Sequence, residues 1–161
     1  MYFLPLLLFV SSTVYSIQYR IINTPVLFNI GFLNFHHIVI LSNRNKDLYT
    51  VDFTPIEQTS IKSKLQMLLN AHVPGEVRIR HIKGVDFTDD ESIIESWKTD
   101  TNMDYKRVYR AIRDKEIKGI MKRALEWPDH MNMYTHNCQH FSRFVIAGNP
   151  GSPATPPALR E

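Results

Sequence analysis

The chain contains one cysteine, Cys138, and the residues around it are of kinds that support nucleophilic chemistry. The segment from Tyr134 to Phe141 reads Tyr-Thr-His-Asn-Cys-Gln-His-Phe. Apolar residues recur at helical spacing from Phe141 to Val145, which predicts that a helix begins near Cys138. The positive end of a helix dipole favours the thiolate form of a cysteine. Because the chain has no second cysteine for an intrachain disulfide, we interpret Cys138 as a candidate nucleophile.

A thiol nucleophile needs a base near its sulfur and a polar group that orients this base. His36 and His37 begin an apolar segment rich in β-branched residues, and Asp52 lies between apolar neighbours in the segment that returns after a polar turn. Buried imidazole and carboxylate groups need hydrogen-bond partners, so we expect a histidine to pair with Asp52 across an antiparallel hairpin. Since neighbours on a strand face opposite sides, only one of the two histidines can reach the thiol.

Three short blocks resemble the lecithin:retinol acyltransferase-like family, part of a circularly permuted papain-like group that is related to NlpC-type peptidases. The blocks are 36–41, 51–55 and 137–141. The resemblance implies an α+β fold of the permuted papain-like type, in which a small antiparallel sheet packs against helices and the nucleophile lies at a helix N-terminus. It also implies that Cys138 is the nucleophile, His36 the base and Asp52 the orienting group.

Other details of the site stay open at this level. His37 is the alternative base, and Asn137 is a candidate for capping the helix or supporting an oxyanion. Gln139 stands where the family commonly has an acidic residue, and Asp52 stands where it usually has a second histidine. An amidase, a peptidase or a thioesterase is therefore as compatible with the sequence as an acyltransferase.

Two interpretations of the same segment do not involve catalysis by the thiol. Cys138 could be a small buried residue of the core. A zinc site could instead use His130, His136, Cys138 and His140, which are ligand types that zinc accepts. Since no Cys-x-x-Cys or His-Glu-x-x-His pattern accompanies them, we expect neither a metal nor another cofactor.

The length and composition indicate one globular domain at 17–147, since the 161 residues are 43% hydrophobic and 22% charged. Residues 1–16 begin with an uncharged apolar run that is shorter than the about 20 residues a membrane helix needs. We interpret 1–16 as a signal peptide, with an uncleaved anchor or a hydrophobic strand as alternatives. Residues 148–161, rich in proline and glycine, are predicted to be a flexible tail. The mature chain is thus expected to be secreted and to lack a membrane span.

Periodicity and turn residues predict the elements of the domain. In chain order these are short strands within 18–30, a hairpin of strands 35–41 and 48–53, a helix at 56–69, a strand at 76–82, helices at 90–97 and 104–125, and a last helix that ends at Gly148. In the strand at 76–82, alternation places Arg78 and Arg80 on a face that we expect to be exposed.

The net charge of +3 is mildly basic, and eight of the 19 lysine and arginine residues fall on the predicted helix at 104–125. Lys118, Lys122 and Arg123 form a candidate surface for an anionic partner. Nucleic acid is not expected, because no aromatic platform or nucleic-acid motif accompanies these residues.

Together these features favour a secreted cysteine-dependent hydrolase or acyltransferase that acts on an ester, amide or isopeptide carbonyl. Its substrates would be acyl esters, amides or peptides, and its site would be Cys138, His36 and Asp52. The alternative is a catalytically inactive, secreted binding module that uses the basic helix.

Overall fold

The computed structural model describes residues 17–24, 36–43, 45–57, 60–99 and 104–147, and all structural statements below concern these residues. The predicted signal peptide at 1–16 and the predicted tail at 148–161 lie outside the described residues. The part of the first predicted strand region that follows Thr24 also lies outside them.

Five strands and five helices make up the described part of the chain. The strands are β1 (Gln18–Thr24), β2 (His36–Ser42), β3 (Leu48–Pro55), β4 (Val73–Ile82) and β5 (His130–Met131), and the helices are α1 (Ile61–Leu68), α2 (Asp90–Thr99), α3 (Tyr105–Ala111), α4 (Lys115–Ala124) and α5 (Cys138–Ile146). The strands form one antiparallel sheet in the order β1-β2-β3-β4-β5. The predicted α+β class and the antiparallel sheet are confirmed.

The hairpin of β2 and β3 forms as predicted. Its register pairs Ile38 with Asp52 and Val39 with Val51. In the connecting turn, the backbone N–H of Asp47 donates to Asn43 Oδ1 at 2.9 Å. A side-chain acceptor of this kind stabilises a tight polar turn, which is why a polar segment between two apolar runs gives a hairpin.

Both faces of the sheet are covered by helices. The first face carries Val39, Val51 and Phe53, and it packs against residues of α4 and α5 such as Met121 and Phe141. The second face carries Ile38 and Ile40, together with polar side chains, and it packs against Ile93 and Trp97 of α2. A strand in the middle of this sheet therefore has no face left for solvent.

This double coverage makes the prediction of an exposed face on the strand at 76–82 wrong. Arg78 and Arg80 of β4 are only 8% and 4% exposed. Their charges are compensated locally, because Arg78 Nε donates to Glu76 Oε1 at 2.7 Å and Arg80 Nη1 donates to Asp52 Oδ1 at 2.5 Å. Buried arginines are tolerated when such partners are present.

The prediction of a single helix at 104–125 is also wrong, because this segment forms two helices, α3 and α4, with a break between them. Ile112 at the break has extended backbone angles and a buried side chain. Asp114 then caps α4, with Oδ1 accepting from the N–H groups of Glu116 and Ile117. A cap of this type starts a new helix in preference to continuing the previous one.

Several predicted bounds shift in the structure. The helix predicted at 56–69 is confined to α1, and the short strand β5 was not anticipated. The last helix ends at Ile146, while Gly148 lies outside the described residues. In the part of the chain that is described, no helix combines the length and apolar character needed to cross a membrane.

Gly75 of β4 should tolerate no side chain. A Cβ at this position would lie 2.5 Å from Cζ of the buried Phe53. We expect Gly75→Ala to lower the free energy of unfolding by about 1–3 kcal/mol, measured by urea denaturation, because a filled core must shift to accept a methyl group.

Gly119 supplies the matched control for this substitution. It lies on α4, and a Cβ there would meet nothing within 4 Å. Gly119→Ala should raise the free energy of unfolding by about 0.5–1 kcal/mol through helix propensity. Equal effects of the two substitutions would contradict the packing described for Gly75.

Candidate active site

Cys138 is the first residue of α5, and Asn137 caps this helix. The Asn137 side chain accepts from the backbone N–H groups of Gln139 at 2.9 Å and His140 at 3.1 Å. Its amide nitrogen donates to the carbonyl of Met133 at 2.7 Å. These bonds fix the first turn of α5, so they also fix the thiol at the start of that turn.

His36 links the thiol to Asp52. Its imidazole is hydrogen-bonded to Cys138, and its Nε2 lies 3.0 Å from Asp52 Oδ2. A carboxylate accepts here, so Nε2–H donates and Nδ1 is the ring nitrogen left for the thiol. The structure thus brings together Cys138, His36 and Asp52, the three residues that the sequence had singled out.

The contacts within this group raise the pKa of the imidazole and lower the pKa of the thiol. Burial lowers the pKa of His36, but its hydrogen bonds with Asp52 and Cys138 and the negative charges of these groups outweigh burial and raise this pKa to about 9. Burial raises the pKa of the Cys138 thiol, whereas the hydrogen bond to His36, its charge and backbone N–H groups at His37 and Cys138 bring it below the usual value. Both shifts favour the charged forms of the two groups, the imidazolium and the thiolate.

Asp52 is fully buried and accepts hydrogen bonds from three side chains. Besides His36, Arg80 Nη1 donates to Oδ1 at 2.5 Å and Trp97 Nε1 donates to the same oxygen at 3.1 Å. Burial raises the pKa of this carboxyl, but the bond to His36 and the charge of Arg80 dominate and lower it to about 2. Asp52 is thus held as a carboxylate.

Strand register explains how these side chains meet. Asp52 lies directly across from Ile38 on β2 and from Arg78 on β4. His36 lies two residues before Ile38 and Arg80 lies two residues after Arg78, so both share the second face of the sheet with Asp52. Diagonal neighbours of this kind are within reach of long or aromatic side chains.

Arg80 and Trp97 are the members of this network that the sequence interpretation missed. The Arg80 guanidinium lies over the Trp97 ring at 5.1 Å, and the Trp97 ring centroid is 5.5 Å from that of His36. The sequence contained a signal for Arg80 as a partner of Asp52. A carboxylate in a buried strand needs several hydrogen-bond donors, and alternation on β4 placed the arginines together on one face. The signal for Trp97 is weaker. Its spacing of four residues from Ile93 indicates only that both lie on the same side of α2.

His37, the alternative base, contacts Ser142 of α5. Its Nδ1 lies 3.1 Å from Ser142 Oγ, and this hydroxyl donates to the carbonyl of Gln139 at 2.9 Å. Burial and the positive charge of His36 lower the pKa of His37. The backbone N–H of His37 is hydrogen-bonded to the sulfur of Cys138.

The four ligands of the zinc hypothesis do not gather around one point. Cys138 is engaged by His36, and His140 Nδ1 lies 2.9 Å from Asn137 Oδ1. His130 and His136 instead contact each other, with ring centroids 4.9 Å apart. Among the described residues, no three His, Cys, Asp or Glu side chains are placed to hold a metal ion.

The basic surface suggested for an anionic partner is partly folded back onto aromatic rings. Lys118 Nζ lies 5.6 Å from the centre of the Tyr109 ring, and the Arg123 guanidinium lies 4.7 Å from that of Phe144. Lys122 is exposed. Cation–π contacts leave these two charges less available to a partner than the sequence suggested.

The depressed pKa of Asp52 gives an acid dependence of stability that can be measured. An unfolded aspartate takes up a proton at pH about 3.9, whereas folded Asp52 does so only near pH 2. Between these values the unfolded state binds more protons, so this contribution is present above pH about 4 and is lost as the pH falls toward 2.

Asp52→Asn should therefore be less stable than wild type by about 3–5 kcal/mol at pH 7, because Arg80 loses its carboxylate. The difference in unfolding free energy should shrink between pH 4 and pH 2 in denaturant titrations. Glu126→Gln, an exposed substitution, serves as the control and should keep the acid slope of wild type. A difference that stays constant with pH would contradict the network.

No family model, no curated protein and no solved structure matches this chain. Its function must be argued from the chemistry of the site.

Proposed function

We propose that this protein is a cysteine-dependent hydrolase or acyltransferase that acts on an ester, amide or isopeptide carbonyl. The observation that carries the proposal is the buried chain of contacts from the Cys138 thiol through the His36 imidazole to the Asp52 carboxylate. A nucleophile, a base and a group that orients the base are the parts required for acyl transfer.

In the proposed first step, the Cys138 thiolate attacks the substrate carbonyl carbon and forms a C–S bond. The bond from that carbon to the leaving oxygen or nitrogen breaks, and the His36 imidazolium gives its proton to the leaving group. The second step reverses these roles. His36 takes a proton from water or an acceptor alcohol or amine, which attacks the thioester, and the thiol of Cys138 is released.

The negative charge that develops on the carbonyl oxygen needs donors close to the sulfur. The backbone N–H groups of His37 and Cys138 already approach this sulfur, so they are the donors that we assign to the oxyanion. The side chain of Asn137 is committed to its cap through both its oxygen and its nitrogen. We therefore assign Asn137 to holding the helix and not to the oxyanion.

The order of the elements supports a permuted papain-like fold. His36 begins β2, Asp52 lies in the adjacent antiparallel strand β3, and Cys138 begins a later helix. This is the order of base, orienting residue and nucleophile that the resemblance implies. We further propose that the protein is secreted, on the basis of the apolar sequence within 1–16.

The first test measures the rate of Cys138 alkylation by iodoacetamide as a function of pH. The apparent pKa of the thiol should be below the ordinary value of about 8.5, and His36→Ala should raise it, because the imidazolium no longer stabilises the thiolate. His37→Ala is the matched control and should leave the profile nearly unchanged. A thiol that reacts only after unfolding would mean that Cys138 is a structural residue and would refute the proposal.

The second test asks whether the thiol carries an acyl group during turnover. Incubation with a p-nitrophenyl ester should add one acyl group to Cys138, detected by intact-protein mass spectrometry and peptide mapping. Cys138→Ser should lower turnover of any confirmed substrate by about a thousandfold or more, since the nucleophile is lost. Full turnover by Cys138→Ser would exclude the mechanism.

A further inference from the structure

Trp97 of α2 contacts three side chains that stand behind the thiol. Its Nε1–H donates to Asp52 Oδ1 at 3.1 Å. The centroid of its ring lies 5.5 Å from that of His36, and the guanidinium of Arg80 lies 5.1 Å from the ring centre. Trp97 is itself buried. One side chain of α2 thus touches the base, the carboxylate that orients this base, and the counterion of the carboxylate.

The two oxygens of Asp52 have different partners. Oδ2 lies 3.0 Å from His36 Nε2, whereas Oδ1 accepts from Arg80 Nη1 and from Trp97 Nε1. Each carboxylate oxygen offers about two lone-pair sites, so the two donors fill Oδ1 and leave Oδ2 to the imidazole. The terminal torsion of an aspartate is broad, so a bond at one oxygen alone would not fix the plane of the carboxylate. The donors on Oδ1 therefore hold Oδ2 against His36.

The two donors on Oδ1 reach it from different elements. Arg80 lies on β4, on the same face of the sheet as Asp52, whereas Trp97 reaches the carboxylate from α2, which packs on that face. Ile93 lies one turn earlier on α2 and is fully buried against the sheet, so it holds this side of the helix in place. The carboxylate is thus held both from within the sheet and from the helix above it.

We propose that Trp97 is a positioning residue for the reaction assigned to Cys138, an inference that rests on the function proposed above. The indole N–H fixes the plane of the Asp52 carboxylate, and the indole ring lies against His36. The imidazole then keeps Nε2 on the carboxylate and Nδ1 toward the sulfur, both when it gives a proton to the leaving group and when it takes one from the acceptor. Trp97 acts through these two residues and makes no bond to the substrate.

The second tryptophan of the chain shows what a purely packed indole does in this protein. Trp127 packs on the other face of the sheet, against Phe53 and Phe141. Within the described residues, its buried Nε1 has no hydrogen-bond partner. The indole N–H of Trp97 instead donates to Asp52. Trp127 is therefore the matched control for Trp97.

The test compares Trp97→Phe with Trp127→Phe in the full chain. Both changes replace an indole by a smaller aromatic ring, but only Trp97→Phe removes a donor from Asp52. The rate of Cys138 alkylation by iodoacetamide at pH 7 should fall about threefold to tenfold in Trp97→Phe, the range that one hydrogen bond is worth. Its pH profile should move upward, part of the way to that of His36→Ala. Trp127→Phe should keep the rate and the profile close to those of wild type.

Proton NMR gives a readout that a loss of packing alone would not change. The Nε2–H of His36 is hydrogen-bonded to a buried carboxylate, so it should give a downfield signal that is absent in His36→Ala. Trp97→Phe should broaden or remove this signal, because a carboxylate that can turn leaves the proton open to exchange with water. Trp127→Phe should keep the signal.

A measurement that retains Trp97 covers the case in which Trp97→Phe does not fold. Trp127→Phe leaves one indole, so it assigns the Nε1–H resonance of Trp97. Alkylation of Cys138 changes the partner of His36 and should shift this resonance, because the Trp97 ring lies against the imidazole. A resonance that does not move would overturn the inference.

The outcomes for Trp97 can be told apart from those for the proposed function. If the thiol reacts only after unfolding, the proposed function is refuted, and the His36 signal in Trp97→Phe still decides whether Trp97 positions the imidazole. The other case is a reactive thiol whose profile depends on His36. If Trp97→Phe then matches Trp127→Phe in alkylation rate and keeps the His36 signal, Trp97 is only a core residue. The inference is overturned in that case, while the proposed function stands.

Discussion

The buried carboxylate of Asp52 is the constraint on which the rest of the site depends. Removing a carboxylate from water costs several kcal/mol unless hydrogen bonds and opposite charge replace the solvent. Here the donors come from three different elements, His36 of β2, Arg80 of β4 and Trp97 of α2. Satisfying this one group therefore fixes two neighbouring strands and the helix that covers the second face of the sheet.

Charge alternates along the chain of contacts that begins at Arg80. Arg80 neutralises Asp52, so the carboxylate can orient His36 without being the only counterion of its imidazolium. The charged forms of His36 and Cys138 stabilise each other, which agrees with a raised pKa at the histidine and a lowered pKa at the cysteine. Contacts of this kind favour the ionised nucleophile that the proposed acyl transfer requires.

Sequence patterns predicted the parts of this arrangement that depend on local periodicity. The hairpin follows from two β-branched runs around a polar turn, and the pairing of a histidine with Asp52 follows from the cost of leaving either group unsatisfied in a strand. Arg80 was predicted to face solvent. Alternation along a strand shows which side chains share a face, but it does not show whether another element packs on that face. In the structure, Trp97 of α2 packs on the face that carries Arg80. Ile61 and Leu65 of α1 are exposed, and the sequence does not reveal this, because apolar spacing predicts a stripe but not whether the stripe faces the core.

The first two residues of β2 explain why the thiol has a defined position. His36 contacts Cys138, and His37, which faces the other side of the strand, contacts Ser142. Cys138 and Ser142 are four residues apart, so they lie on the same side of α5, one turn from each other. Two adjacent strand residues therefore fix both the rotation of α5 about its axis and its position along that axis. The two adjacent histidines therefore have different roles. His36 contacts the sulfur, and His37 holds the helix that carries this sulfur.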